Sequence, residues 1–203
     1  MDKVLKWAGL RLMRLFASPF SVAKGVSVLS VVNCPRVDLN LNMSAKQTET
    51  KNAIIQLMRI YLDNCCYNRP FDDQHDLATA LESFAKLQIQ SMMRSGELEY
   101  VWSDSLCHEV VKNPFPRRFK SIVAWIGGAA VYVETTDEVI ARAKDFEAIG
   151  VKKMDALHLA SAESASCDWF FTTDKGILKK VRDVGEMRVA NPVEFVTWRK
   201  DDV

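Results

Sequence analysis

The chain has 203 residues, of which 48% are hydrophobic and 26% charged, with 8 Gly and 6 Pro. These values are typical of a folded protein and exclude collagen-like and low-complexity chains. The 27 basic and 26 acidic residues give a net charge of +1, so the overall charge does not indicate a strongly basic nucleic-acid-binding protein. No run approaches the ~20 apolar residues that span a bilayer, so we expect no transmembrane helix.

The cysteines are few and scattered. They are Cys34, Cys65, Cys66, Cys107 and Cys167. Because they form no Cys-x-x-Cys pair and no tight cluster with histidine, a zinc finger or a secreted disulfide framework is not expected. We predict free thiols and a reducing, cytoplasmic compartment.

The first part of the chain differs in charge from the rest. Residues 1–57 hold 8 basic and 3 acidic residues, against 19 basic and 23 acidic in residues 58–203. Basic side chains interrupt its apolar stretches, which is unlike a signal peptide. We predict a weakly structured extension at 1–57 ahead of a folded domain at 58–203, with Met58 as a candidate physiological start. An amphipathic targeting or membrane-surface element and a functional appendage are the open alternatives.

The first elements of this domain follow from apolar runs and helical spacing. Residues 59–62 are predicted as a strand that stops at Asp63, and residues 64–74 as a loop, because Asn68-Arg69-Pro70 suits a turn. Residues 76–93 are predicted as a helix. The apolar stripe expected to bury one face of this helix consists of Leu77, Ala80, Leu81, Phe84 and Leu87.

Strands and helices then alternate to the end of the chain. Further strands are predicted at 98–102, 131–134, 169–173 and 187–189, and helices after Ser103, at 117–126, 137–149, 155–166 and 177–181, with a last turn after Asn191. Strands separated by helices favour a parallel sheet covered on both faces. The predicted fold class is α/β, a three-layer α/β/α sandwich around a parallel sheet.

Four acidic residues occupy positions that favour a functional site. Asp63 and Asp174 follow apolar strands, Asp155 opens a helix, and Glu109 lies on the helix after the second strand. Loops at the carboxyl ends of parallel strands converge on one crevice. Each acid alone also has an ordinary explanation, as a turn residue, a helix cap or a solvated helical glutamate.

Taken together, the four acids form an ordered set, with separations of 46, 46 and 19 residues. The runs that carry them are Tyr61 to Gln74, Trp102 to Glu109, Lys153 to Ala160 and Phe171 to Asp174. Over about residues 58–197 the chain resembles the PIN domain, the metal-dependent nuclease fold of VapC-like toxins in type II toxin-antitoxin modules.

The resemblance implies an acidic pocket that binds Mg²⁺ or Mn²⁺ and hydrolyses RNA. Asp63, Glu109, Asp155 and Asp174 match the catalytic and metal-binding acids of the family. Elementary electrostatics agrees with this assignment. Clustered carboxylates repel one another, and a hard divalent ion with oxygen ligands removes the repulsion.

Further candidates surround the acids. Thr173 fits a hydroxyl that some family members place in the pocket, and Asn64 and His158 are pocket candidates too; for His158 a hydrogen-bonded core histidine is the alternative. RNA phosphates need cations. The candidate RNA contacts are Arg69, Arg117, Arg118 and Lys175, each with a solvated surface residue as the alternative.

The resemblance also implies partners, namely an RNA substrate, a small antitoxin that plugs the acidic groove if the chain is a toxin, and a homodimer. A membrane partner is not expected. The leading hypothesis is a divalent-metal-dependent endoribonuclease, the toxin of a toxin-antitoxin module. The alternative is a non-catalytic PIN-like module that binds RNA or protein. A phosphatase built on Asp63 is disfavoured, because Cys65 stands where an Asp-x-Asp motif needs its second acid.

Overall fold

The computed structural model describes residues 57–201, with side chains through residue 199. The predicted extension at 1–57 therefore lies outside the described residues, apart from Leu57, and so does Cys34. The four described cysteines are free thiols, as predicted. Among residues 57–201, every helix is too short or too polar to cross a membrane.

Six strands and eight α-helices make up the described chain. The strands are β1 (Met58–Leu62), β2 (Leu98–Ser103), β3 (Val131–Val133), β4 (Trp169–Phe171), β5 (Asp183–Val184) and β6 (Met187–Ala190). The helices are α1 (Asn64–Asn68), α2 (Leu77–Ser95), α3 (Asp104–Val111), α4 (Pro116–Val123), α5 (Asp137–Ala148), α6 (Lys153–Ser164), α7 (Lys175–Lys180) and α8 (Pro192–Asp201). Short 3-10 helices lie at Arg69–Phe71 and Ile126–Gly128.

The strands form one sheet in the order β3-β2-β1-β4-β6-β5. Every pair in it is parallel except β5 with β6, which is antiparallel. Because β1 and β4 are neighbours at the centre of the sheet, residues that follow these two strands meet at one edge. The predicted α/β/α sandwich is confirmed.

Aromatic side chains on the central strands show how the two faces of the sheet are covered. The ring of Tyr61 stacks on Phe170, with ring centroids 5.4 Å apart, and faces His158 of α6. On the opposite face, the rings of Trp169 and Phe171 pack against the ring of Phe195 on α8, with ring centroids 5.1 and 5.0 Å apart. The central strands are thus buried on both sides, as their nearly continuous apolar sequences predict.

The prediction for the buried face of α2 is wrong. The helix forms close to the predicted bounds, but its predicted stripe faces outward: Leu77 is 72% exposed, Leu81 50%, Phe84 59% and Leu87 50%, and Ala80 is partly exposed. The buried face carries Ser83, Ala85, Lys86, Ile89, Gln90 and Met93. Hydrophobic periodicity failed because this inner face includes a lysine and a glutamine, so the outer face is the more apolar one.

Other differences concern short elements. The predicted loop at 64–74 begins with α1 and continues as the 3-10 helix Arg69–Phe71. The two-residue strand β5 was not predicted, and the predicted last turn is the ten-residue helix α8. Each segment is stabilised by tertiary packing, which local propensity does not report.

Candidate metal centre

Two of the four predicted acids lie at one edge of the sheet because they follow adjacent strands. Asp63 follows β1, and its backbone N–H donates to the carbonyl of Phe171 at 2.9 Å, which extends the β1-β4 pairing. Asp174 comes three residues after Phe171 and caps α7, where its Oδ1 accepts from the N–H of Gly176 at 2.5 Å. Chain topology therefore positions both carboxylates.

The tightest group of ligand atoms joins Asp63, Glu109 and His158. One ligand atom from each of these residues lies within 4.8 Å of the other two. The Nε2 of His158 is 2.9 Å from Oε2 of Glu109 and 3.9 Å from Oδ1 of Asp63. The residue after β1 and one residue each of α3 and α6 thus contribute side chains to one centre.

His158 is fully buried, and both of its ring nitrogens have partners. Nε2 pairs with Glu109, and Nδ1 lies 2.7 Å from the hydroxyl of Tyr61. That hydroxyl is also 2.6 Å from Oγ of Ser103, the N-cap residue of α3. The two alternatives for His158 are therefore both realised, since it is a hydrogen-bonded buried histidine and also contacts a candidate ligand.

The charges in this group stabilise one another. Burial by itself raises the pKa of Glu109, but the hydrogen bond and charge of His158 outweigh burial and leave that pKa below its ordinary value. Burial lowers the pKa of His158, but the bond to Glu109 and the charge of Asp63 leave it raised. Both shifts favour an imidazolium beside carboxylates.

The carboxylate of Asp63 is held on one side. Its Oδ2 accepts from Oγ1 of Thr172 at 2.8 Å and from Sγ of Cys65 at 3.1 Å. The backbone N–H of Thr173 donates to Sγ of Cys65 at 3.2 Å. With Oδ2 occupied, Oδ1 is left facing His158. Cys65 is partly exposed, whereas its neighbour Cys66 is fully buried.

Asp155 lies in the first turn of α6 and feels the other acids. Burial, the charge of Asp63 and the charge of Asp174 raise its pKa to about 6, while Lys152 and His158 act in the opposite direction. Asp155 and Asp174 lie outside the tightest group of ligand atoms. The repulsion nevertheless shows that the excess negative charge extends from Asp63 toward both residues.

Two of the remaining pocket candidates contact this centre. The side chain of Asn64 lowers the pKa of Glu109, and its Oδ1 accepts from Asn68 at 3.1 Å. Thr173 is 6% exposed, and its Oγ1 has no hydrogen-bond partner among the described residues. A buried hydroxyl oxygen without a partner, beside carboxylates that repel, fits a bound cation.

The candidate RNA contacts fall into two groups. Arg69 pairs with Glu82 at 2.9 Å and with Asp72 at 3.4 Å, and Arg118 also pairs with Asp72 at 3.4 Å. The charges of Arg69 and Arg118 are therefore already paired with acidic side chains. Arg117 and Lys175 are exposed and form no ion pair with any described residue. Arg117 and Lys175 are therefore available to bind phosphate.

Sequence reasoning missed the side chains that hold the acids in place. Tyr61 and Ser103 support His158, while Thr172 and Cys65 support Asp63. Tyr61 reads as an ordinary strand aromatic, and Ser103 as a helix cap. The only available signal was position, because each residue lies within three positions of a strand end at the crevice edge.

No protein family and no curated protein matches the sequence. Among solved structures, the chain is similar to one in the crystal structure of VapBC2 from Rickettsia felis bound to a DNA fragment from their promoter. The identity is 12% and the TM-score 0.43, and the match covers 66% of this chain and 98% of that chain.

Proposed function

We propose that the chain is a divalent-metal-dependent endoribonuclease. The observation that carries the proposal is the convergence of Asp63, Glu109 and His158, whose ligand atoms lie within 4.8 Å of one another. Burial and the charges of Asp63 and Asp174 also raise the pKa of nearby Asp155. Residues far apart in the chain thus build one acidic centre, in the motif order of the PIN domain that the chain resembles.

Each side chain has a role in this proposal. A divalent ion supplies charge stabilisation on phosphate oxygens and lowers the pKa of water. Asp63 offers Oδ1 as a ligand, since Thr172 and Cys65 hold Oδ2. Asp155, with a pKa of about 6, is suited to accept a proton near neutral pH. His158 orients Glu109.

The donor set narrows the choice of ion. Carboxylate and hydroxyl oxygens suit Mg²⁺ and Mn²⁺. His158 is not counted among the ligands, because both of its ring nitrogens already have partners. We therefore propose that the centre binds Mg²⁺ or Mn²⁺.

We further propose that the chain is a toxin with a small antitoxin partner. The support is the outward apolar stripe of α2, whose four large side chains Leu77, Leu81, Phe84 and Leu87 are 50 to 72% exposed. Contiguous exposed apolar surface of this kind marks a binding face for another protein. A second copy of the chain is the other partner that this stripe could bind. Light scattering distinguishes the two, because a homodimer forms in the purified chain without an antitoxin.

The activity test uses the full chain and total RNA, with Mg²⁺, Mn²⁺ or chelator, followed by mapping of new RNA ends. Cleavage should require the ion and should fall at least 100-fold in Asp155→Asn, since general acid-base groups contribute about 10²–10⁴-fold. Asp183→Asn, an exposed acid on β5, is the matched control. Full cleavage by Asp155→Asn would refute the assignment.

One observation favours the non-catalytic alternative. His158 lies between Glu109 and Asp63, and its raised pKa favours a protonated ring, which partly neutralises the two carboxylates without metal. In a pure binding module, Mn²⁺ should leave the melting temperature unchanged. In the nuclease, Mn²⁺ should raise the melting temperature, and Asp155→Asn should abolish the increase.

We also propose that residues 58–203 form the nuclease unit. The described elements from β1 onward contain every residue of the candidate centre. N-terminal mapping of the native protein tests whether Met58 is the physiological start. A native chain that begins at Met1 with residues 1–57 protected from protease would contradict this.

A further inference from the structure

An aromatic and cationic surface surrounds Arg118, one of the candidate RNA contacts. The guanidinium carbon of Arg118, on α4, is 4.7 Å from the ring centroid of Phe115 and 5.6 Å from that of Phe71. Phe115 is 55% exposed and Phe71 37% exposed. One Arg118 nitrogen donates to the carbonyl of Phe71 at 2.6 Å, which fixes the arrangement.

We propose that Phe71, Phe115 and Arg118 form a stacking platform that binds the bases of single-stranded RNA next to the acidic centre. This inference rests on the proposed nuclease function, because it names where the substrate lies. Exposed aromatic rings and planar guanidinium groups are the side chains on which unpaired bases stack.

The charge around the platform favours RNA over a protein partner. Residues 110–133 contain 4 basic and no acidic side chains. Three of the basic residues, Lys112, Arg117 and Lys120, are exposed and form no ion pair with the described part of the chain. Asp72 and Asp73 follow Phe71, and Asp72 pairs with Arg118, so the unpaired positive charge lies on the Phe115 side of the platform. Aromatic rings next to unpaired cations match a nucleic-acid strand, which presents bases and phosphates together.

A chain of side-chain amides connects the platform to the centre. The Nδ2 of Asn68 donates to Oδ1 of Asn64 at 3.1 Å, and the Nδ2 of Asn113 donates to Oδ1 of Asn68 at 3.0 Å. The Oδ1 of Asn113 accepts from the backbone N–H of Phe115 at 3.0 Å. Asn64 also lies close enough to Glu109 to lower the pKa of its carboxyl. The five-residue helix α1, about 7.5 Å long, separates Asn64 near the centre from Asn68 near the platform. A few nucleotides of RNA therefore suffice to reach from the centre to the platform.

Binding is tested with the full chain, a fluorescein-labelled single-stranded RNA 12-mer and chelator, by fluorescence anisotropy. Phe115→Ala and Phe71→Ala should each weaken binding ~5-fold or more, because each removes a stacking surface. Phe115→Trp should retain binding. Ile149→Ala, a change at an exposed apolar residue on another surface, should have no effect.

Salt dependence provides a second readout. Arg117→Gln should reduce the slope of log Kd against log salt by ~1, whereas Arg188→Gln, at an exposed arginine on β6, should not. If the parent chain binds no RNA, or if both phenylalanine variants bind as tightly as the parent, the platform is refuted.

The stacking platform and the nuclease activity can be refuted independently of each other. A chain that cleaves RNA with Mn²⁺, and whose Phe115→Ala variant has unchanged KM and kcat, overturns the platform and keeps the nuclease. A chain that binds RNA through Phe115 but cleaves none in the presence of Mn²⁺ keeps the platform and overturns the nuclease. Binding of a protein at this surface without RNA binding overturns the platform.

Discussion

The Nε2 of His158 on α6 lies 2.9 Å from Oε2 of Glu109 on α3, two residues that are 49 positions apart in the chain. The imidazole is fully buried and is held from behind by Tyr61 at 2.7 Å. Contacts of this kind fix the orientation of a ligand carboxylate before an ion arrives.

Replacing His158 with Gln should weaken Mn²⁺ binding about 10- to 100-fold, the usual effect of losing a group that orients a ligand. Isothermal titration of the full chain with Mn²⁺ measures this. His75→Gln, at an exposed loop position, is the control. Equal affinity of His158→Gln and the parent would show that the pair with Glu109 has no part in ion binding.

Asp155→Asn should raise the melting temperature of the metal-free protein at pH 7. The pKa of Asp155 is raised in the folded state from 3.8 to about 6, so the folded chain binds the proton more tightly than the unfolded chain. The free energy of unfolding therefore falls as pH rises through this interval. Asn does not titrate, so the variant does not lose this stability as pH rises. The difference in melting temperature between variant and parent should therefore be smaller at pH 4. A melting temperature below that of the parent at pH 7 would contradict the prediction.

The thiol of Cys65 should be replaceable by hydroxyl but not by an alkyl group. Cys65→Ser keeps a donor to Oδ2 of Asp63, while Cys65→Ala leaves Thr172 as the remaining donor and holds the carboxylate less firmly. We expect the serine variant to keep Mn²⁺ affinity within about 3-fold and the alanine variant to lose about 10-fold or more. Melting temperatures of the metal-free variants separate this effect from loss of fold. Equal affinity of both variants would exclude a role for the thiol.

Lys86 should destabilise the folded protein at neutral pH. It is 5% exposed, its Nζ donates to Oε1 of Gln90 at 2.8 Å, and burial lowers its pKa from 10.5 to about 8. In the unfolded chain Lys86 stays protonated to higher pH than in the folded chain. The free energy of unfolding should therefore rise as pH increases from 8 toward 10.5. Lys86→Met should stabilise by about 1–3 kcal/mol at pH 7 and remove this rise. Urea titrations across this pH range measure both effects, and a variant less stable than the parent would refute them.

The two apolar faces of α2 should respond differently to substitution. Leu81→Lys, on the exposed face, should change the free energy of unfolding by no more than about 0.5 kcal/mol. Ile89→Ala, on the buried face, should cost about 2–5 kcal/mol. Urea denaturation compares the two variants. A large loss for Leu81→Lys would mean that the outer face is covered by another part of the protein.

Local sequence patterns were sufficient for the architecture. Apolar runs that alternate with helical spacing determine a parallel α/β/α sandwich, because strands buried on both faces need helices between them. The same rule predicted that Asp63 and Asp174 lie at one edge of the sheet, since each follows a central strand. These predictions depend on chain order and strand direction, which a linear sequence contains.

Only the tertiary structure decided which side chains touch. It joined His158 to Glu109, placed Cys65 and Thr172 behind Asp63, and turned Leu81 outward while burying Lys86. The physical reason is that such contacts depend on how helices rotate and pack against the sheet. That rotation is set by the summed packing of the whole domain, and a helix with two apolar faces carries no local signal for which one is buried.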